Sequence, residues 1–348
     1  MDYKAEQMTN KIIVTGGMGY IGSHTVVELI NAGYQPVIFD NLSNSDRNVL
    51  SGIKAITDQD VPFTEVDLSD VATTKAAFNA HKDAVGIIHF AALKAVGESV
   101  NQPLRYYKNN LLALINVMEE MKKLGMQNFI FSSSCTVYGQ PDSLPVTEKF
   151  PIKPALSPYG NTKQIGEEII REEATAEEGK FNTIALRYFN PIGAHPSAHI
   201  GELPLGVPNN LMPFITQTAI GKREQLSVFG TDYNTVDGTA VRDYIHVQDI
   251  AEAHVIAVKR LIAGNNKKDF EVFNLGTGNG FSVLEVIQSF ERSTGQKLKY
   301  KLTERRKGDV EAVYADTTFA KEELGWVTKR GLDEMTASAW EWEKRINS

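Results

Sequence analysis

A serine, a tyrosine and a lysine carry the chemistry open to this chain. Tyr159 and Lys163 bracket the run Tyr159-Gly160-Asn161-Thr162-Lys163, one helical turn apart, so both project from one helix face. An unperturbed phenol titrates near pH ~10, and a base working at neutral pH needs a downward shift of about three units, or ~4 kcal/mol. One ammonium at ~4 Å supplies about that much at an effective dielectric of ~20. The pair can therefore form a phenolate that accepts a hydroxyl proton. Upstream, Ser132-Ser133-Ser134-Cys135 closes an apolar strand. Ser134 is the candidate proton relay, because a hydroxyl both donates and accepts. Ser132 and Ser133 are competing assignments, and Cys135 reads as a small buried neighbour with no histidine beside it in sequence.

A base that removes an alcohol proton needs a partner for the hydride, and the chain opens on a stretch able to hold one. Lys11-Ile12-Ile13-Val14-Thr15 ends in Gly16-Gly17-Met18-Gly19-Tyr20-Ile21-Gly22, and the helical pattern Thr25 to Ile30 follows. The glycines satisfy both GxGxxG and GxxGxxG. They let bare backbone approach a diphosphate, while the helix start offers unpaired N–H groups to an anion. A second strand, Pro36 to Phe39, ends on Asp40, within the ~20-residue spacing of the carboxylate that binds an adenosine ribose and repels a 2′-phosphate. This favours NAD over NADP. An oxidised nicotinamide would add a second positive charge beside Tyr159.

The elements that must position these groups alternate in the first half of the chain. Strand candidates are Ile12–Thr15, Val37–Phe39, Phe63–Val66, Gly86–Phe90, Phe129–Ser132 and Thr183–Arg187, with helical stretches between them. That pattern predicts an α/β fold, a doubly wound parallel (Rossmann) sheet with ligands at the carboxyl ends of its strands. Helices are expected near 103–123 and 159–176. The first carries Leu104, Leu111, Ile115, Met118 and Met121 for packing, and a second apolar face, Tyr107, Leu114 and Val117, for a helix-helix dimer interface. From Pro191 the texture turns to long loops rich in Gly, Pro and Asn, the usual place for substrate specificity. Regular signals return at Val241–Val247, at a helix near 249–263 and at Val272–Leu275. The later cluster Gly276-Thr277-Gly278-Asn279-Gly280 reads as a turn. The expected domains are a leader at 1–8, an NAD-binding domain at 9–190 with the 249–263 helix packed back on it, and a smaller C-terminal α/β lobe at 191–348.

Composition sets the outer limits. The 348 residues are 42% hydrophobic and 23% charged, with a net charge of −7 and no basic stripe, which argues against a nucleic-acid partner. No apolar run approaches the ~20 residues of a membrane span. The single cysteine fits a reducing, cytoplasmic setting. His195 and His199 share a loop, yet no metal-ligand spacing accompanies them.

Taken together, TGGMGYIGSH, FDN, HFAALKAVGES, SSSCTVYG, YGNTK, RYFNPIGAHPS, PNNLMP, RDYIHV and RRKGD resemble the UDP-glucose (UDP-galactose) 4-epimerase family of extended short-chain dehydrogenases/reductases. Cys135, where the family usually has alanine, is the one local departure in the serine motif. The resemblance implies NAD-dependent reversible 4-epimerisation of UDP-hexoses through a 4-keto sugar, as in galactose metabolism, by a homodimer built on the two long helices. It implies catalytic Tyr159, Lys163 and Ser134. It implies NAD contacts by Gly16, Gly19, Tyr20, Ile21, Gly22, Asp40, Asn41, Leu42, Ser43, Asn44, Ser45, Asp67, Leu68, Phe90, Ala91, Ala92, Leu93, Lys94, Asn109, Tyr159, Lys163 and Phe189. UDP-sugar contacts fall on Ser134, Tyr159, Asn190, Asn210, Leu211, Phe229, Arg242, Arg306, Asp309 and Val313. In the family a tyrosine at the position of Val313 excludes N-acetylated sugars, so the smaller valine implies room for UDP-GlcNAc and UDP-GalNAc. A dehydratase of the same superfamily would need an acid–base pair where Cys135 and Thr136 stand. A net dehydrogenase would release reduced cofactor, and a non-catalytic NAD-sensing module would not need the Ser/Tyr/Lys set.

Overall fold

The structure, a computed structural model, describes residues 10–177, 179–208, 210–305 and 310–348. The expected leader at 1–8, and the expected contacts of Arg306 and Asp309, lie outside these described residues. The order begins β1 (Lys11–Thr15), α1 (Tyr20–Asn31), β2 (Gln35–Asp40), α2 (Val49–Thr57), β3 (Phe63–Glu65), α3 (Val71–Asn79), β4 (Gly86–His89) and α4 (Val96–Asn101). It continues through α5 (Pro103–Leu124), β5 (Asn128–Ser134), α6 (Pro158–Ala176), β6 (Asn182–Tyr188), β7 (Asn190–Ile192), α7 (Leu211–Ala219) and β8 (Leu226–Phe229). Then come β9 (Val241–Arg242), β10 (Tyr244–His246), α8 (Val247–Ile262), β11 (Phe270–Leu275), β12 (Phe281–Ser282) and α9 (Val283–Thr294). The last elements are β13 (Tyr300–Thr303), β14 (Ala312–Val313) and α10 (Leu332–Arg345).

Seven parallel strands form the central sheet in the order β11-β6-β5-β4-β1-β2-β3. The order reverses between β1 and β4, which opens the crevice where such sheets bind ligands. Alternation along each strand feeds two cores. Ile12, Val14 and Ile38 point to the face covered by α1 and α8, whereas Ile13, Val37 and Phe39 point to the face covered by α3, α5 and α6. The Rossmann sheet expected from the alternation is present.

The sheet departs from the expected segmentation in one respect. Its outermost strand, β11, comes from beyond residue 191 and pairs in register with β6 over Phe270–Leu275. Val272 to Leu275 follows the helix near 249–263, but the long loops from Pro191 separate that pair from the earlier alternation, so nothing local marks it as part of the first sheet. The helix expected near 249–263 is α8, and it lies against α1. The remaining C-terminal elements bury a separate core of α7, β8, α9 and α10 around Phe290, Met335 and Trp340.

Two expectations need correction. Val241–Val247 is broken at Asp243, whose buried carboxylate accepts from the backbone N–H groups of Thr277, Gly278 and Ala315. The later glycine cluster is therefore a turn wrapped on Asp243. On α5, Leu114 and Val117 face inward and are fully packed, and the Tyr107 hydroxyl accepts from Asn161 Nδ2 at 2.7 Å on α6. The outward apolar positions are instead Leu104, Leu112 and Ile115. Of the expected packing stripe, Met118 and Met121 are buried beside Leu114 and Val117 while Leu104 and Ile115 are exposed, so the inward face draws on both stripes.

Candidate active site

The glycine turn is built as a cradle. Gly16 takes φ +68°, and a Cβ there would lie 2.7 Å from the amide nitrogen of Ala91 at the end of β4. A Cβ on Gly22 would lie 2.3 Å from the carbonyl oxygen of Gly16, so helix and turn touch backbone to backbone. Gly19 is the N-cap of α1 and brings no capping side chain, which leaves the first-turn N–H groups for an anion. Asp40, at the end of β2, is nearly buried. It accepts from Met18 N at 3.1 Å, Leu42 N at 2.9 Å and Ser45 Oγ at 2.9 Å, with acceptor capacity left over. Burial raises its pKa against the pull of these donors. Leu42 is held at φ +56° by its bond to Asp40, a strained non-glycine position beside the crevice. These features fit an adenosine diphosphate moiety.

The other residues named for NAD lie along the same edge. Asn41, Ser43 and Asn44 form the exposed turn after Asp40, with Ser43 N donating to Asn41 Oδ1 at 3.1 Å. Asp67 and Leu68 follow β3; Asp67 accepts from Ser69, and the Leu68 carbonyl accepts from Asn116 at 2.8 Å. Phe90, Ala91, Ala92, Leu93 and Lys94 form the loop after β4. Asn110 clamps that loop, accepting from Leu93 N at 2.8 Å and donating to Leu93 O at 3.0 Å. It also donates to Thr162 Oγ1 at 3.0 Å on α6 and accepts from its neighbour Asn109. Lys94 extends over the Tyr20 ring, with Nζ 5.8 Å from its centroid, and Ile21 sits half-buried in the first turn of α1. Phe189 is buried immediately after β6.

Ser134, Tyr159 and Lys163 meet at the carboxyl end of β5. Strand β5 runs on to Ser134, beyond the expected end at Ser132. Helix α6 starts on Pro158 with Ser157 as its cap, Gly160 N donating to Ser157 Oγ at 3.1 Å. It presses close to the strand because Gly166 meets the ring of Phe131, where a Cβ would come within 2.8 Å. Lys163 is buried and donates from Nζ to the carbonyl of Ser132 at 2.6 Å. Its Nζ stands 6.0 Å from the Tyr159 ring centroid and 4.8 Å from that of Phe131.

This geometry corrects the electrostatic expectation. Burial pushes the Tyr159 phenol up to about 12, hydrogen bonding with Ser134 draws it down, and Cys135 raises it. The Lys163 amine is lowered to about 8 by burial, with Glu167 pulling it up. Burial is the largest influence on the phenol in the chain alone, and the lysine Nζ donates to the Ser132 carbonyl. Cys135 is likewise pushed to about 12 by burial, so its thiol is no nucleophile near neutral pH.

The candidate sugar-binding residues approach from the second lobe. Strand β14 brings Val313 opposite Arg242 of β9, and Val313 joins one apolar cluster with Phe189, Val137 and Cys135. Arg242 NH1 donates to Val241 O at 2.8 Å. Asn190 begins β7, its N–H donating to Asp243 O at 2.9 Å. Asn210 precedes Leu211 at the start of α7 and donates to Glu202 Oε1 at 2.6 Å; Phe229 ends β8 with its ring substantially exposed. His195 is bound to Ser197, and among the described residues no group of three or more His, Cys, Asp or Glu is placed to hold a metal.

A polar layer lies beneath the carboxyl end of β5, unmarked by any of the motifs above. Glu167, one turn after Lys163, accepts from Ser133 Oγ at 2.5 Å and from Arg187 Nε at 2.8 Å and NH2 at 2.5 Å. Arg187 NH1 also donates to the Tyr138 hydroxyl at 2.9 Å, which donates to Asn274 Oδ1 at 2.6 Å. The available signal was a glutamate at i+4 from the lysine on a helix face that otherwise had to be buried.

Residues 13–339 match the family model described as GDP-mannose 4,6 dehydratase. The chain is 52% identical over 332 residues to a UDP-glucose 4-epimerase of Bacillus subtilis, covering 95% of this chain and 96% of the relative. It is similar, with a TM-score of 0.93 and 44% identity, to the UDP-glucose-4-epimerase of Stenotrophomonas maltophila solved with bound NAD and formylated UDP-arabinopyranose, covering 97% and 98% of the two chains. A UDP-glucose 4-epimerase of Bifidobacterium longum in complex with NAD+ and UDP matches with a TM-score of 0.92 and 42% identity, covering 97% and 99%.

Proposed function

We propose, from the premise that this chain belongs to the UDP-glucose 4-epimerase family of extended short-chain dehydrogenases/reductases, that it inverts C4 of a UDP-hexose with Tyr159 as the base. The carrying observation is the convergence of Ser134, Tyr159 and Lys163 at the end of β5, beside the crevice rimmed by the glycine turn and Asp40. When bound, NAD supplies the hydride acceptor and donor for C4 and places positive charge near the phenol. The N–H groups at the start of α1 and the carboxylate of Asp40 would hold its diphosphate and adenosine ribose, and the 90–94 loop, Lys163 and Phe189 would hold its nicotinamide half.

Tyr159 takes the proton of the sugar 4-hydroxyl, and Ser134 holds that oxygen as the C4–O bond gains carbonyl character. Lys163 stays pinned to Ser132, so its charge is fixed rather than mobile. The 4-keto sugar turns over within the pocket while Arg242, Asn190, Asn210 and Phe229, with Arg306 and Asp309, keep the UDP anchored. Tyr159 then returns the proton to give the inverted alcohol. In this reading the NAD lobe is 9–190 completed by α8 and β11, and the rest of 191–348 binds the UDP-sugar. The outward stripe of α5, Leu104, Leu112 and Ile115, forms a homodimer contact, and the protein works in the cytoplasm. Among the described residues no helix is long and apolar enough to cross a membrane.

Val313 governs the sugar. Its side chain is short and packs beside Phe189, so an acetamido group at C2 has room, and both UDP-Glc/UDP-Gal and UDP-GlcNAc/UDP-GalNAc are substrates. Purified protein incubated separately with UDP-Glc and UDP-GlcNAc, with no added NAD, should give the C4 epimer in each case by NMR. Val313→Tyr should lose the N-acetyl reaction by about 10- to 100-fold while retaining the plain one. Equal loss on both sugars would refute the steric argument. Dehydration is disfavoured, because the Cys135 thiol is locked near 12 and the Thr136 hydroxyl is buried without a partner. Appearance of a 4-keto-6-deoxy product would reverse that conclusion.

A further inference from the structure

Glu167 is a fully buried carboxylate that touches neither the crevice nor solvent, yet it joins three elements that bear on the reaction. On α6 it stands one turn beyond Lys163. Through Ser133 Oγ at 2.5 Å it grips the stretch of β5 that presents the Ser132 carbonyl on one side and the Ser134 hydroxyl on the other. Through the forked bond to Arg187 it is tied to β6, and Arg187 carries the tie onward to Tyr138 in the turn after Ser134. An ion pair for stability alone could lie anywhere in the layer. This one sits where β5 and α6 must hold register to within a fraction of an ångström, because Lys163 reaches Ser132 only if they do. Buried pairs of this kind are poor sources of stability and well suited to specifying one arrangement.

We propose that Glu167 is a positioning residue for the epimerisation: clamped between Ser133 and Arg187, it locks α6 to β5 so that Lys163 and Tyr159 keep one geometry, and with Arg187 it keeps the charge beneath the site balanced. The inference rests on the roles given above to Tyr159 and Lys163. The titratable and charged groups facing this layer are Lys163, Arg187, Tyr138, His89 and Glu148.

The test is the pH profile of kcat on UDP-glucose for the holoenzyme and three variants. Glu167→Gln keeps the shape and removes the charge, leaving Arg187 uncompensated. The phenolate is then favoured and the ammonium disfavoured, so both limbs should move to lower pH by about half a unit to one unit, and kcat should fall about 10- to 100-fold. Glu167→Gln combined with Arg187→Gln restores neutrality and avoids an orphaned buried charge. Its limbs should return to the wild-type positions while kcat stays low. Ser133→Ala loses a single hydrogen bond, and it should lower kcat about tenfold at unchanged KM without moving either limb. Limbs that stay in place in Glu167→Gln, or that move equally in the double variant, would overturn the proposal. So would a Ser133→Ala enzyme with wild-type kcat, which decides the matter even if Glu167→Gln does not fold. A failure of the parent reading looks different, for then Tyr159→Phe would remain active whatever Glu167 does.

Discussion

Replacing Tyr159 with phenylalanine is expected to lower kcat by about 10²- to 10⁴-fold while the protein still retains NAD. The phenol oxygen is hydrogen-bonded with Ser134 at the end of β5, and the positive charge of bound NAD would offset the burial that holds it at about 12 in the chain alone. Lys163 has its ammonium committed to the Ser132 carbonyl. The ring of phenylalanine fills the same volume, so the cradle around Gly16, Gly22 and Asp40 is untouched. The measurement is single-turnover epimerisation alongside the nicotinamide released on denaturation. A variant within tenfold of wild type, with full cofactor content, would remove Tyr159 as the base.

The second large effect is a loss of stability on mild acidification. His24, His89, His246 and His254 are buried, and burial holds them neutral, at about 3 for the first three and about 4 for His254. Their hydrogen bonds agree with that form: His24 Nδ1 donates to Tyr20 O at 2.7 Å while its Nε2 has no partner. In the unfolded chain each protonates near pH ~6.5. The unfolded state therefore binds more protons below that value, so the stability is fully present above about 6.5 and drains away as pH falls toward the folded values. At pH 5.5 each histidine costs on the order of 1 kcal/mol and the set several kcal/mol, a large share of the ~5–15 kcal/mol of a typical fold. The buried carboxylates of Asp40 and Asp243, raised by burial, act with the opposite sign. Urea unfolding at pH 7.5 and 5.5 should show a clear drop in midpoint, and an unchanged midpoint would contradict the neutral assignment.

Local signals exposed most of the cofactor half. β-Branched runs, glycines and a terminal aspartate are short-range features, and β1, α1 and β2 follow from them almost residue by residue. Tyr159 and Lys163 were readable because helical spacing alone puts them on one face. What stayed hidden depends on distant partners. The phenol's environment is governed by how deeply Tyr159 is buried, which no spacing reveals. The stripe of α5 that packs inward is chosen by the sheet, since Leu104 and Leu114 look alike in sequence. Glu167 leaves only a faint local trace, its spacing from Lys163, because its partners Ser133 and Arg187 lie on two other elements. The second lobe was legible mainly through resemblance, its short strands β9, β12 and β14 being held by side chains such as Asp243 rather than by their own propensity.

The origin of β11 bears on how the polypeptide is born. While the ribosome is still making the loops after Asn190, β6 has no neighbour on its outer side, and its amide edge is open to any other strand at hand. The sheet closes only after Leu275 has emerged, so its completion waits on a long-range pairing of the kind that slows folding. A nascent or truncated product ending before that point would carry a sticky border, and its fate should be decided by chaperones rather than by NAD.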